Sequence, residues 1–226
     1  MSSRRSLIIV NEEEEKVGTF KTEQETFWAG SFGNNYTLRN QGNKWIASNL
    51  ALFSRILTRT IEIRSVIEFG ANLGLNLRAI QQLLPEAELS AIEINPKAVE
   101  MLRNLANVKV YDKSILDFSP DYRSDLVLSK GVLIHINPDK LAQVYDLLYE
   151  TSNRYICVAE YYNPTPVEIS YRGHKGKLFK RDFAGDMLDR FDDLKLLDYG
   201  FVYHRDNNFA DDDLTWFLLD KGRSKR

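Results

Sequence analysis

Cysteine is almost absent from this sequence: Cys157 is the only one in 226 residues. No intrachain disulfide can form. A cluster of iron and sulfur held by one chain's thiolates is excluded, and radical chemistry that depends on such a cluster goes with it. Cys157 lies in an apolar run and reads as a small buried hydrophobe rather than a reactive thiol. An excess of one charge is missing too. Lys and Arg number 30 against 32 Asp and Glu, for a net charge of -2. No overall field draws the chain onto nucleic acid, and any basic site is local. No apolar run is long enough to span a bilayer. Leu7 to Val10, after a basic start, is too short for the apolar region of a signal peptide. The expectation is a cytoplasmic protein with neither membrane nor nucleic-acid partner. No grouping of His, Cys, Asp and Glu has metal-ligand spacing, so no metal is expected.

What is present is ordinary globular composition, 43% hydrophobic and 27% charged, at a length that suits one α/β domain. Residues 1–21 hold the acidic run Glu12 to Glu15 and read as a flexible arm. From Thr22 the chain turns aromatic, with Phe27, Trp28, Phe32 and Tyr36. A short helix and a loop at Gly30 and Gly33 fit this stretch. Ile46, Leu50, Phe53 and Leu57 share one helical face. Residues 22–60 together read as a helical lid on a single domain that runs from 22 to 226.

Strands and helices then alternate. Val66–Phe69 is a short apolar run, followed by Leu73, Leu77, Ile80 and Leu84 at helical spacing and a stop at Pro85. Further strands are expected at Leu89–Ile94, Val108–Tyr111, Asp125–Leu128 and Tyr155–Ala159. Asn95-Pro96 and Asn137-Pro138 are helix starts, a capping side chain followed by proline. Tyr161–Lys180 reads as loop, Arg181–Arg190 as helix, and the runs near Leu194–Tyr203 and Leu214–Leu219 as a hairpin. The expected fold is α/β and Rossmann-like: a mainly parallel seven-stranded sheet, helices on both faces, and a C-terminal hairpin near one edge.

The strongest motif is Glu68-Phe69-Gly70-Ala71-Asn72-Leu73-Gly74, where the first strand meets its helix. Glycine there lets the backbone turn sharply and a ligand approach closely. About 20 residues on, Glu93 ends the second strand, where a carboxylate accepts from ribose hydroxyls. Dinucleotide and S-adenosylmethionine (SAM) sites share this layout, and two details favour SAM. Counted from Gly70, Asn72 and Leu75 occupy the second and third glycine positions of a dinucleotide fingerprint. Glu68 would repel a pyrophosphate but suits the cationic end of SAM. Asp112 after the third strand can accept from the adenine amino group, and Lys113, Ser114 and Ile115 can wall the ring; alone, Asp112 reads as a turn or cap residue. Ile94 is a further cofactor candidate. Ser129 and Lys130 follow the fourth strand, at the sheet edge where open α/β folds bind ligands.

These motifs resemble the series found in class I SAM-dependent methyltransferases. Further blocks narrow the likeness: Thr22-Glu23-Gln24-Glu25-Thr26-Phe27-Trp28-Ala29-Gly30, Gly131-Val132-Leu133-Ile134-His135-Ile136, Glu160-Tyr161-Tyr162-Asn163-Pro164-Thr165-Pro166, Tyr171-Arg172-Gly173-His174, Lys180-Arg181-Asp182-Phe183-Ala184-Gly185 and Asp213-Leu214-Thr215-Trp216-Phe217. From Thr22 to the end they look similar to methylases associated with pseudaminic acid biosynthesis. The phosphonate O-methyltransferase of dehydrophos biosynthesis looks related. The resemblance implies methyl transfer from SAM to a small molecule, with S-adenosylhomocysteine (SAH) as product.

On the acceptor side, Arg172, His174, Lys175, Lys177, Lys180 and Arg181 form a local basic cluster interleaved with Tyr161, Tyr162 and Tyr171. Arginine forks suit carboxylates, phosphates and phosphonates. The expectation is an anionic acceptor, an acidic sugar, nucleotide sugar or phosphonate, held by Tyr162, Tyr171, Arg172, Lys180 and Arg181. A solvated charged loop is the plainer reading. Trp28 and Tyr36 offer aromatic faces to a sulfonium, and Arg39 offers a partner for the methionine carboxylate; packing of a helix on the sheet is the other reading. His135 is either the base that takes the released proton or a buried cap. Asp211–Asp213 reads as a solvated turn. An NAD-dependent oxidoreductase, a non-catalytic SAM-binding module and a macromolecule methyltransferase stay open as alternatives.

Overall fold

A computed structural model describes residues 20–39 and 42–222. Most of the expected arm lies outside the described residues. Among the described residues the α-helices are α1 (Glu23–Ala29), α2 (Ser31–Arg39), α3 (Asn43–Leu57), α4 (Leu75–Leu83), α5 (Pro96–Arg103), α6 (Leu141–Thr151) and α7 (Phe183–Arg190). The strands are β1 (Ser65–Phe69), β2 (Glu88–Glu93), β3 (Val108–Asp112), β4 (Ser124–Lys130), β5 (Ser152–Glu160), β6 (Val167–Glu168), β7 (Phe179–Lys180), β8 (Lys195–Phe201) and β9 (Thr215–Asp220).

The main sheet has seven strands in the order β3-β2-β1-β4-β5-β9-β8. The first five are parallel, and β9 and β8 close that edge as an antiparallel hairpin. The order reverses between β1 and β4, so a crevice opens at their carboxyl ends. Side chains alternate faces along each strand. Ile67, Phe69, Val127, Ile156 and Val158 face the layer of α6 and α7. Val66, Leu126, Leu128, Cys157 and Leu218 face that of α3 and α4. Cys157 is fully buried, and burial pushes its thiol up to about 12, as suits an inert core residue. Each fully buried Leu or Ile contributes roughly 1.5–3 kcal/mol, so these two layers fix the sheet edge on which the site stands.

Two expectations need correction. Gly33 is not in a loop: it lies inside α2, where a Cβ would run into the Trp28 carbonyl and reach within 2.8 Å of Asn95 Nδ2. Its missing side chain lets α2 press onto α1. Tyr161–Lys180 is not wholly loop either. β6 and β7 pair as a short antiparallel ribbon, extended by Ile169 N–H to Leu178 O at 2.9 Å. The ribbon carries a tight tip in which Tyr171 and His174 exchange backbone hydrogen bonds of 2.8 and 2.9 Å. The two corner residues, Arg172 and Gly173, have φ of 50° and 87°, the positive values a type I′ hairpin turn demands.

Candidate active site

A cavity occupies the crevice. Its floor begins at the turn from β1 into α4. Gly70 and Ala71 donate their N–H groups to Ile92 O at 2.8 and 3.1 Å, which locks the loop against β2. Gly70 has φ 73°, and an added Cβ would sit 2.7 Å from Val132 Cγ2. Asn72 has φ 46°, a left-handed conformation that asparagine tolerates, so it serves where glycine was the expected residue type. Its N–H donates to Glu93 Oε2 at 2.7 Å. Glu93 also accepts from the Ile94 and Asn95 N–H groups at 2.9 and 2.7 Å. Burial raises the Glu93 pKa against those bonds.

Gly70, Ala71, Asn72, Glu93, Ile94, Lys113, Ser114 and Lys130 line the cavity, as do Trp28, Tyr36 and His135. Glu68 and Ser129 lie behind it. Burial pushes the Glu68 carboxyl up to about 8. One of its oxygens accepts from Asn76 Nδ2 at 2.5 Å; the other, and Asn76 Oδ1, are buried with no donor among the described residues. Ser129 Oγ donates to Glu160 at 2.9 Å. Gly74 packs on α5, where a Cβ would meet Leu105 and Leu102 at 2.7 and 2.8 Å.

Several expected contacts are not made. Asp112 is exposed and paired with Arg103 at 3.0 Å. Arg39 is exposed, 5.7 Å from the Phe32 ring centre. Tyr162 is exposed beside Phe217. Lys180 stands over the Tyr161 ring at 5.0 Å. Arg181 Nε lies 3.0 Å from Asp186 Oδ2 in the first turn of α7, where each charge finds its counter-ion. Arg172 is exposed at the ribbon tip beside Tyr171. None of these six lines the cavity. Tyr171 packs behind it with its ring tilted, 4.8 Å from the His135 ring and 6.3 Å from that of Trp28.

The roof holds residues that the sequence did not mark as site residues. Gln24, Glu25, Thr37, Trp45, Asn49, Asn95, Asp211 and Asp212 all line the cavity. Glu25 takes part in the capping box at Thr22 and accepts from Ser114 Oγ at 2.5 Å, which ties α1 to the end of β3. Asp211 is buried and 3.1 Å from Lys130, which corrects the expected solvated turn. Glu160 ends β5 fully enclosed; it accepts from the Val132 and Leu133 N–H groups at 3.0 Å each and thereby fixes the turn that carries His135. Burial pushes Glu160 up to about 7. Its signals in the sequence were its place closing an apolar strand and its place at the head of the Glu160–Pro166 block.

His135 Nδ1 lies 2.5 Å from Lys177 O. A carbonyl only accepts, so Nδ1 carries the proton and Nε2 keeps its lone pair. Burial lowers the His135 pKa to about 4, so the ring is neutral near pH 7.

No family model matches the chain, and no curated protein matches it. Solved structures do match. One is the plantazolicin methyltransferase BpumL with bound SAH, at 16% identity and TM-score 0.61, covering 88% of this chain and 94% of that one. A second is the 1,6-didemethyltoxoflavin-N1-methyltransferase of Burkholderia thailandensis, at 13% identity and TM-score 0.62, covering 87% and 86%. A third is an amino pentose methyltransferase of calicheamicin biosynthesis from Micromonospora echinaspora, at 10% identity and TM-score 0.58, covering 84% and 96%. The chain has the class I methyltransferase fold. Counting only main-sheet strands in chain order, its sheet runs 3-2-1-4-5-7-6.

Proposed function

We propose that this protein is a SAM-dependent methyltransferase acting on a small molecule. The observation that carries the reading is the pair of orphaned polar atoms beside the Gly70–Asn72 loop, Asn76 Oδ1 on a residue of the cavity lining and Glu68 Oε2 behind it. An unmade hydrogen bond at a buried polar atom costs roughly 1–3 kcal/mol. The α-ammonium of SAM would donate to Asn76 Oδ1 and would favour the ionised form of Glu68, which burial alone holds protonated near pH 7. A pyrophosphate, with no donor and two negative charges, fits these atoms badly. That disfavours the NAD-dependent alternative.

In this reading Gly70, Ala71 and Asn72 back the methionine portion, Glu93 faces the ribose, and Ile94, Lys113 and Ser114 flank the adenine. Lys130 closes the β4 side, and Trp28 and Tyr36 form part of a lid built from 22–60. SAM supplies a methyl group on a sulfonium. The protein's work is to align the acceptor with that methyl and to keep water out. His135 presents a neutral Nε2 as the proton acceptor. A pKa near 4 makes it a weak base. It is suited to relieve a nucleophile that methylation has made acidic, not to ionise one beforehand.

The small anionic acceptor expected from the sequence loses its main support. Lys180 and Arg181 are engaged elsewhere, and Arg172 stays outside the lining. A small acceptor fits the cavity and the small-molecule methyltransferases that share the fold. Calorimetry with SAM, SAH and NAD tests the cofactor. Binding of NAD in preference to SAH would overturn the reading. Release of SAH with a screened acceptor separates an enzyme from a non-catalytic SAM-binding module.

A further inference from the structure

We propose that Asp212 and Asn49 hold an ammonium or amino group of the methyl acceptor, so that the cavity takes aminated small molecules in preference to acids; this rests on the methyltransferase reading above. Four acids line the cavity: Glu25, Glu93, Asp211 and Asp212. Three of them are engaged. Glu25 is bonded to Ser114 and Thr22. Glu93 takes three backbone N–H groups. Asp211 accepts from the Asp212 N–H at 2.8 Å and faces Lys130 at 3.1 Å, which leaves Lys130 no charge to offer an anion. Asp212 differs. Among the described residues its carboxylate has no hydrogen-bond donor and no cation within ion-pair distance.

Asn49 gives a second, independent sign of a ligand. It is 4% exposed and lines the cavity from α3, yet its amide makes no hydrogen bond among the described residues. Ser48 Oγ donates to Ala210 O at 2.8 Å, so α3 is fastened to the segment that carries Asp211 and Asp212. The two unsatisfied side chains therefore stand on joined elements. Asn49 is a buried residue whose amide opens only onto the cavity, and Asp212 is an exposed carboxylate on the same lining; polar groups left unpaired in a cavity mark places where something binds. Trp28 and Tyr36 line the same space with aromatic faces, which attract cations and do nothing for carboxylates. Among the described residues no arginine lines the cavity. Lys130, already paired with Asp211, and Arg172, outside the lining, act on the Asp212 charge only from beyond ion-pair distance, against the like charge of Asp211. A carboxylate acceptor would meet Asp212 as a like charge, while an ammonium would meet its missing counter-ion.

The test uses benzylamine, benzyl alcohol and benzoate, which share an aromatic body and differ in the group presented. Each is titrated calorimetrically into the full chain, with and without saturating SAH. Benzylamine should bind at least about tenfold more tightly than either of the others, and Asp212→Asn should cut that preference to within about threefold. Asp212 is exposed, so the variant should melt like the wild type and keep its SAH affinity. A benzoate or benzyl alcohol affinity equal to that of benzylamine would overturn the proposal. So would a preference that survives Asp212→Asn, or failure of benzylamine to bind at all. If SAH itself does not bind, the methyltransferase reading falls, while the titrations without SAH still decide the amine preference.

Discussion

On the floor of the cavity the polar contacts join near neighbours, and on the roof they join residues far apart in the chain. Glu93 takes its bonds from Asn72, Ile94 and Asn95, at most 21 positions away. Gln24 reaches the carbonyl of Gly176, 152 positions away, and Ser48 that of Ala210, 162 away. The floor's bonds are charge-assisted and buried, worth roughly 1.5–3 kcal/mol each. The roof adds partly exposed pairs, Lys21 with Asp117 and Lys177 with Glu23, in the class worth about 0–1 kcal/mol. A ligand site needs both parts: a floor that does not rearrange and a cover that opens at low cost.

The comparison is broken most directly at Gly70. A valine there places a β-branched side chain at positive φ and drives its Cβ into Val132. Strain and overpacking together come to roughly 3 kcal/mol or more. Gly70→Val should therefore lower SAH affinity by about a hundredfold or more, measured by calorimetry on folded protein. Normal affinity in that variant would mean that the cofactor does not lie against this loop.

That same contrast explains what the sequence could reveal. Strand periodicity, the Gly70 turn and the acid at Glu93 are local patterns, and each element of the parallel sheet was legible from them. The β6–β7 ribbon was not, because two-residue strands carry no periodicity and the Arg172-Gly173 corner lacks the usual Asn-Gly or Asp-Gly signal. Gly33 reads as a loop residue until the Trp28 carbonyl is known to pass beside it. The basic cluster from Arg172 to Arg181 looked like one anion site, yet its charges are divided among Asp186, Glu23 and two tyrosine rings. Asp211 read as solvated because its partner, Lys130, lies 81 residues earlier. Pairings over such distances are set by topology, which short-range patterns do not encode.

The two regions should also answer pH with opposite signs. His135, whose ring packs between Trp28 and Tyr171, titrates near 4 when folded and near 6.5 when unfolded. Its contribution to stability is complete above about pH 6.5 and is lost as the pH falls toward 4, up to about 3 kcal/mol. Glu68 on the floor keeps its proton up to about pH 8, against an ordinary 4.5. Its contribution is complete below 4.5 and lost as the pH rises toward 8, and Glu160 acts in the same direction. Urea unfolding from pH 4 to 8 should show His135→Leu flattening the acid limb and Glu68→Gln flattening the alkaline one. An acid limb unchanged by His135→Leu would mean that the imidazole is already charged in the fold.

A smaller effect is expected at the latch between α1 and the end of β3. Ser114→Ala removes the hydroxyl that meets Glu25. One such bond is worth roughly 1.5–3 kcal/mol when its acceptor is charged, and Glu25 keeps its capping-box partners. The fold should survive while the lid loosens. Backbone amides of α1 should exchange with solvent several-fold faster in the variant, those of β1 and β4 should not change, and SAH should restore most of the protection. Equal acceleration in the sheet would mean that floor and roof open as one unit.

The smallest effect should come from Arg181, although the sequence marks it as a principal acceptor contact. Its guanidinium pairs with Asp186 Oδ2, the same oxygen that accepts from Tyr145 Oη at 2.8 Å. Removing the guanidinium leaves Asp186 one partner and leaves the first turn of α7 with its acid, which the helix dipole favours. Arg181→Ala should cost about 1 kcal/mol of stability or less, as partly exposed pairs do. Once a working acceptor is known, its kcat/KM should stay within about threefold of wild type. Arg181→Lys should look the same, because no bidentate fork is in use. Suppose instead that Arg181→Ala raised the acceptor KM tenfold and lysine failed to rescue it. The side chain would then have to leave Asp186 and turn into the cavity when the acceptor binds, and the ribbon would belong to the moving roof rather than to its fixed support. Such a result would also return the acceptor to the acids, since a guanidinium released toward the cavity has no other reason to leave its carboxylate.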